Sequence, residues 1–233
     1  MKPELRRVGQ SSSPVVVIDE FSGNVAELIE IAAALAPFPY HEGNYYPGLR
    51  RIITEADVAA NAYVERTLKD AAQFIAGAFD VPGFDLIEAS FSMVTADPSK
   101  LQPPQRAPHF DTTDPWQYAV LHYLNVPPGS GTAFFRQRST NVEWVTEQNA
   151  DIFVRVARRQ MAELPPDSGY IQGSNAHYEQ VGEVEAVPDR LIIYHSSLLH
   201  SGIIRPNMNR SGDPRQGRLT ANIFVRGHDE EKE

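Results

Sequence analysis

Two kinds of hydrophobic pattern divide the chain near Pro82-Gly83. Before that point, Val15-Val16-Val17-Ile18 is a short β-branched run that predicts a buried strand. Val25, Leu28, Ile29, Ala32 and Leu35 then recur at helical spacing, which predicts a helix capped by Ser22 and stopped by Pro37. Tyr40 to Arg51 is an aromatic and cationic stretch, read as a loop. Its Tyr40, Tyr45, Tyr46 and Arg50 suit an entrance or a surface loop with aromatic anchors. Thr54 opens a second predicted helix, with Val64, Leu68, Ala71, Ala72 and Ile75 on one stripe. Residues 1–14, ending in Ser11-Ser12-Ser13-Pro14, read as a flexible arm.

Beyond residue 83 the pattern becomes that of short strands: Leu86–Ala96, His109–Asp111, Tyr118–Asn125, Thr132–Arg136, His177–Ala186, Leu191–Ser196 and Arg218–Arg226. Turns rich in Pro and Gly separate them, and Asn149–Leu164 interrupts them as a helix. Many short strands after a helical start predict an α+β fold, a β-sandwich or barrel with helices packed on one side. The expected organisation is a single domain over 15–226, with a helical preface at 15–84, a β region at 85–226 and an acidic tail at 227–233.

Composition narrows the chemistry. The 233 residues are long enough to bury a sizeable core. A formal charge of −9 argues against nucleic acid as a partner, because a negative field repels phosphate. No apolar run approaches the length of a bilayer span, so no membrane partner is expected. The absence of cysteine excludes thiolate metal sites and cysteine nucleophiles, and suits a cytoplasmic protein. Any metal must therefore be held by His, Asp and Glu.

Three of the seven histidines have an acid two positions on: His109/Asp111, His177/Glu179 and His228/Glu230. The last lies in the charged tail. His177 shares one strand face with Glu179, Glu183 and Glu185, which reads as a solvated acidic face. His109-Phe110-Asp111 instead follows a Pro-rich loop and precedes a polar turn. In an extended segment His109 and Asp111 point the same way, while Phe110 faces packing. A third ligand is expected from the run Arg190 to Gly202, read as a strand that turns and ends in a histidine. There His200 is favoured over His195. Two histidines and one carboxylate leave three coordination positions open, as in non-haem iron(II) oxygenases.

In the final strand Leu219, Ala221, Ile223 and Val225 alternate with Thr220, Asn222 and Phe224. A solvent-facing strand would show the same alternation. After a metal ligand, however, Arg218 with Thr220 is what a buried dicarboxylate requires: a bidentate guanidinium and a hydroxyl. His122 is read as structural, and Trp116 and Trp144 as core residues.

The order His109-x-Asp111, Tyr118 to Asn125, Gly131-Thr132-Ala133-Phe134-Phe135, Asp189-Arg190-Leu191 to His200-Ser201-Gly202 and Arg218-Leu219-Thr220 resembles the iron(II)/2-oxoglutarate-dependent dioxygenases. The similarity is to their prolyl-hydroxylase-like branch, as a bacterial-type member, and spans about 86 to 226. The resemblance implies a double-stranded β-helix (jelly-roll or cupin-like) with His109, Asp111 and His200 as iron ligands. It further implies Arg218 and Thr220 at the distal carboxylate of 2-oxoglutarate, with Tyr123 also contacting that cosubstrate. The implied activity is oxygenation, most simply hydroxylation, of a small-molecule or peptide substrate using dioxygen. The gap from His200 to Arg218 is longer than that branch usually shows, so Arg205, Arg210 and Arg215 compete as carboxylate partners. Two other readings stand beside this one: a catalytically silent β-helix that binds a ligand or partner, and a cupin-like metal enzyme that does not use 2-oxoglutarate.

Overall fold

The computed structural model describes residues 1–40, 46–165 and 167–228. Tyr45 of the expected entrance, Glu230 and the acidic tail from residue 229 onward lie outside them. Among the described residues, ten strands and three α-helices follow one another as β1 (Lys2–Val8), β2 (Ser13–Asp19), α1 (Val25–Ala34), β3 (Gly48–Ile52), α2 (Val58–Phe79), β4 (Phe84–Val94), β5 (Gln117–Asn125), β6 (Gly131–Gln137), α3 (Ala150–Glu163), β7 (Tyr178–Glu185), β8 (Arg190–His195), β9 (His200–Ile203) and β10 (Leu219–Gly227). The fold is α+β and mostly strand. A seven-stranded sheet runs β1-β2-β8-β5-β10-β4-β3, and a three-stranded sheet runs β7-β6-β9; every pairing is antiparallel.

Alternation along the strands sorts the core into layers. Leu219, Ala221, Ile223 and Val225 of β10 join Ala89, Phe91 and Met93 of β4 beneath α1 and α2. Those helices therefore pack on one face of the large sheet, as expected. The opposite face meets the small sheet across Tyr123, Phe134, Val184, Ile192 and Tyr194. On the far side of the small sheet, α3 covers Ala133, Phe135 and Tyr178.

Several expectations are corrected. The anticipated arm at 1–14 contains β1, which pairs with β2 along its whole length. The Glu143 carboxylate accepts the amides of Gln10 and Ser11 at the turn between these strands. A hydrophobic pattern could not reveal β1, because its Lys, Glu and Arg side chains occupy an exposed edge. The helical preface supplies β2, as its β-branched run predicts, and also β3, which falls partly in the stretch 40–51 read as a loop. Ser22 does not cap α1: its hydroxyl donates to Asp189, and Asn24 caps the helix instead. Asp57 precedes α2 in the place expected for Thr54, and its carboxylate receives the Thr54 amide. His109–Asp111 is a single bridge to His200 rather than a strand, and His200 begins β9 rather than ending a turn.

Candidate active site

His109 and His200 face each other through reciprocal backbone bonds: the His109 amide donates to the His200 carbonyl (2.9 Å) and the His200 amide to the His109 carbonyl (2.8 Å). Two residues on, the Asp111 amide donates to the Ser196 carbonyl at 2.8 Å. These bonds clamp the 109–111 segment against the β8–β9 connection. Phe110 turns away and packs edge-on against Phe153 of α3, with ring centroids 5.7 Å apart. His109 and Asp111 consequently share one side, as their spacing requires.

Potential ligand atoms of His109, Asp111 and His200 all lie within 4.8 Å of one another. Asp111 Oδ1 is 3.8 Å from His109 Nε2, and Oδ2 is 3.7 Å from His200 Nε2. Neighbouring ligands about 2 Å from one octahedral ion stand roughly 3 Å apart, so a small side-chain contraction would close the set. The His200 Nδ1–H donates to the Leu198 carbonyl at 2.8 Å. That bond leaves Nε2 as the lone-pair nitrogen directed at Asp111, the outer-shell support a metal-binding imidazole needs. Burial lowers the pKa of both imidazoles to about 4, with His200 adding to the effect at His109. Both rings are neutral near pH 7, the form that binds a cation, although His109 keeps 53% of its side chain open. Burial raises the Asp111 pKa, against the pull of His109 and Arg50.

Arg218 immediately precedes β10 and is only 5% exposed. Among the described residues its guanidinium has no carboxylate partner, and its Nε is buried without an acceptor. Its carbon Cζ lies 5.9 Å from the Tyr123 ring centroid. Thr220, also buried, is paired in register with Tyr123, whose hydroxyl bonds the Thr132 hydroxyl at 2.7 Å. Burial pushes the Tyr123 phenol up to about 12, so the group stays neutral and able to donate.

The competing arginines are occupied elsewhere. Arg205 donates to the Gly129 carbonyl and Gln172, Arg215 forms an exposed pair with Glu30 of α1, and Arg210 donates through Nη2 to the Pro206 carbonyl, although its Nε, like that of Arg218, is buried without an acceptor. His195 lies among Phe79, Tyr118 and Trp144, with Nδ1 donating to the Pro115 carbonyl, apart from the three-residue cluster. His122 is held between the Tyr63 hydroxyl (2.9 Å) and Asp189 (3.0 Å) on the helix side of β5.

Two neighbours went unnoticed in sequence. Thr132 anchors Tyr123. Tyr194 places its ring 5.0 Å from that of His200, and its phenol feels both the Asp111 carboxylate and the Arg218 guanidinium. The signal for Tyr194 was present: it follows the aliphatic run Leu191-Ile192-Ile193 of β8 and shares the inward face with Ile192.

A family model matches residues 1–225. The chain belongs to the family of unknown function DUF6445. No curated protein matches this DUF6445 sequence. Solved structures do match its fold. Apo HygX from Streptomyces hygroscopicus aligns at TM-score 0.56 and 13% identity, covering 93% of this chain and 84% of that one. AviO1 from Streptomyces viridochromogenes Tue57 aligns at 0.55 and 14%, covering 95% and 90%. The non-haem α-ketoglutarate-dependent epimerase SnoN from nogalamycin biosynthesis aligns at 0.52 and 16%, covering 92% and 79%. At these identities the likeness is one of fold.

Proposed function

We propose that this DUF6445 chain is a non-haem iron(II)- and 2-oxoglutarate-dependent oxygenase, a hydroxylase, acting on a small-molecule or peptidyl substrate. Its two facing sheets are then the double-stranded β-helix of that superfamily, and residues 2–228 act as one domain. HygX structures with nickel and 2-oxoglutarate, and with iron, share the fold at TM-scores of 0.53 and 0.54.

The observation that carries the proposal is the buried Arg218 guanidinium, without a carboxylate partner among the described residues, which shares the neighbouring Tyr194 phenol with a clustered pair of neutral imidazoles and a carboxylate. The donor set suits iron(II): two nitrogens and one oxygen hold it without saturating it. His109, Asp111 and His200 are the proposed ligands. Arg218, Thr220 and Tyr123 are the proposed partners of the cosubstrate's far carboxylate, and fix its orientation. Iron(II) with 2-oxoglutarate supplies the oxidising chemistry, while the chain binds, orients and shields the reactants.

Anaerobic addition of iron(II) and 2-oxoglutarate to the wild type is expected to give a weak visible charge-transfer band. Asp111→Ala should abolish that band. A wild type that shows neither the band nor succinate release refutes the proposal.

A further inference from the structure

The inner face of the large sheet, which with the small sheet bounds the proposed cleft, carries a part-exposed ion pair at its β4–β3 end. Arg50 on β3 pairs in register with Ser92 on β4. Ser92, Ser90 and Glu88 occupy the face of β4 opposite the helix-packed Ala89, Phe91 and Met93. Arg50 therefore starts on the inner face and reaches along it. Its Nε donates to the Ser90 hydroxyl at 3.0 Å and its Nη2 to Glu88 Oε1. Arg50 and Glu88 remain 24% and 33% exposed. Two atoms stay unused among the described residues: Arg50 Nη1 and Glu88 Oε2. Beside them stand the partly open Asn222 and Phe224, whose β10 positions pair with Ser90 and Glu88. Arg50 also stands in one cross-strand row with Ser92, Thr220 and Tyr123, so it shares the inner face with the residues proposed to hold the cosubstrate.

We propose that the Arg50–Glu88 pair is the substrate-recognition element of this cleft, and that it takes a small zwitterion, a free α-amino acid or close analogue. The substrate carboxylate docks on Arg50 Nη1 and its ammonium on Glu88 Oε2, so the pair need not break. A simple anion would face Glu88 and a simple cation would face Arg50, whereas a zwitterion satisfies both. Charge balance points the same way. A ferrous ion, Arg218 and Arg50 are offset by Asp111, Glu88 and a dianionic cosubstrate, so a ligand of zero net charge leaves the cleft neutral. Phe224 offers apolar surface for a side chain, and Asn222 offers an amide. The inference rests on the oxygenase reading for the site's location and narrows its substrate class.

The test is calorimetric titration of the nickel(II)-loaded protein, with and without 2-oxoglutarate, using the twenty free L-amino acids and their N-acetyl and amide forms. At least one free amino acid should bind with a dissociation constant below about 1 mM, and blocking either end should weaken it by about tenfold or more. Arg50→Gln, Glu88→Gln and the swap Arg50→Glu/Glu88→Arg should each weaken amino-acid binding by a similar factor, with 2-oxoglutarate affinity changed less than about twofold. The swap keeps a pair on the sheet, so it separates recognition from folding. The proposal is overturned if no free amino acid binds, if blocked forms bind equally well, or if all three variants retain wild-type affinity. Failure of 2-oxoglutarate to bind the wild type would sink the oxygenase reading alone, because amino-acid binding is read independently of it.

Discussion

A buried guanidinium without a counter-ion costs several kcal/mol of desolvation, which a fold tolerates when an anionic ligand repays it. Among the described residues Arg218 is in that position, near phenols that stay neutral: burial holds Tyr46 and Tyr123 up near 12. Arg218→Met is expected to lower 2-oxoglutarate affinity by about tenfold or more while metal affinity holds. It should also leave the thermal midpoint of the ligand-free protein unchanged or raised, because an apolar chain of similar volume removes an unpaired charge. A fall in that midpoint would mark Arg218 as a structural residue. The common direction of His109 and Asp111 was legible at this scale because a His-x-Asp spacing fixes side-chain direction wherever the backbone is extended. Thr132 and Tyr194 were not legible. Their parts depend on neighbours across the two sheets, which no local spacing encodes.

At the scale of elements, β3 places Arg50 beside Ser92 on the face of β4 away from the helices, and its approach to β4 depends on one glycine. A Cβ added at Gly48 would lie 1.9 Å from the Met93 carbonyl oxygen. Gly48→Ala should force β3 outward and cost about 1–3 kcal/mol by overpacking, seen as a lower urea midpoint. Gly77 within α2 is the contrast: a Cβ there meets nothing within 4 Å. Gly77→Ala should stabilise the protein by about 0.5–1 kcal/mol through helix propensity. The main helices and most strands of the β region follow from periodicity, since each buries one stripe or one face. Strand β1 does not, because edge strands are held by backbone hydrogen bonds while their side chains stay polar. Caps moved for a related reason: Ser22 is committed to Asp189, a residue 167 positions away.

At the scale of the whole molecule, burial lowers the pKa of His109, His122, His195 and His200. The sign follows from linkage. A histidine kept neutral in the folded state takes up its proton more readily when unfolded, so its stabilising effect is complete above about pH 6.5 and is lost as the pH falls toward the folded value near 4. Stability of the metal-free protein should therefore drop between pH 7 and 5, with a slope of up to about 1.4 kcal/mol per pH unit for each such histidine. His109, more than half open, contributes least. Thermal midpoints that stay level over this interval would contradict the assignment of buried neutral rings. No helix among the described residues is long and apolar enough to cross a membrane. Taken alone, the sequence determined the helical stripes, the alternating strands and the common direction of His109 and Asp111, because each is set by backbone geometry within a few residues. Only the tertiary structure decided which distant histidine joins that pair, which of four arginines is buried, and that Arg50 and Glu88 meet on one face of a sheet. Those outcomes depend on strand register and on which face of a sheet is covered, and both are settled only when separate segments pack together.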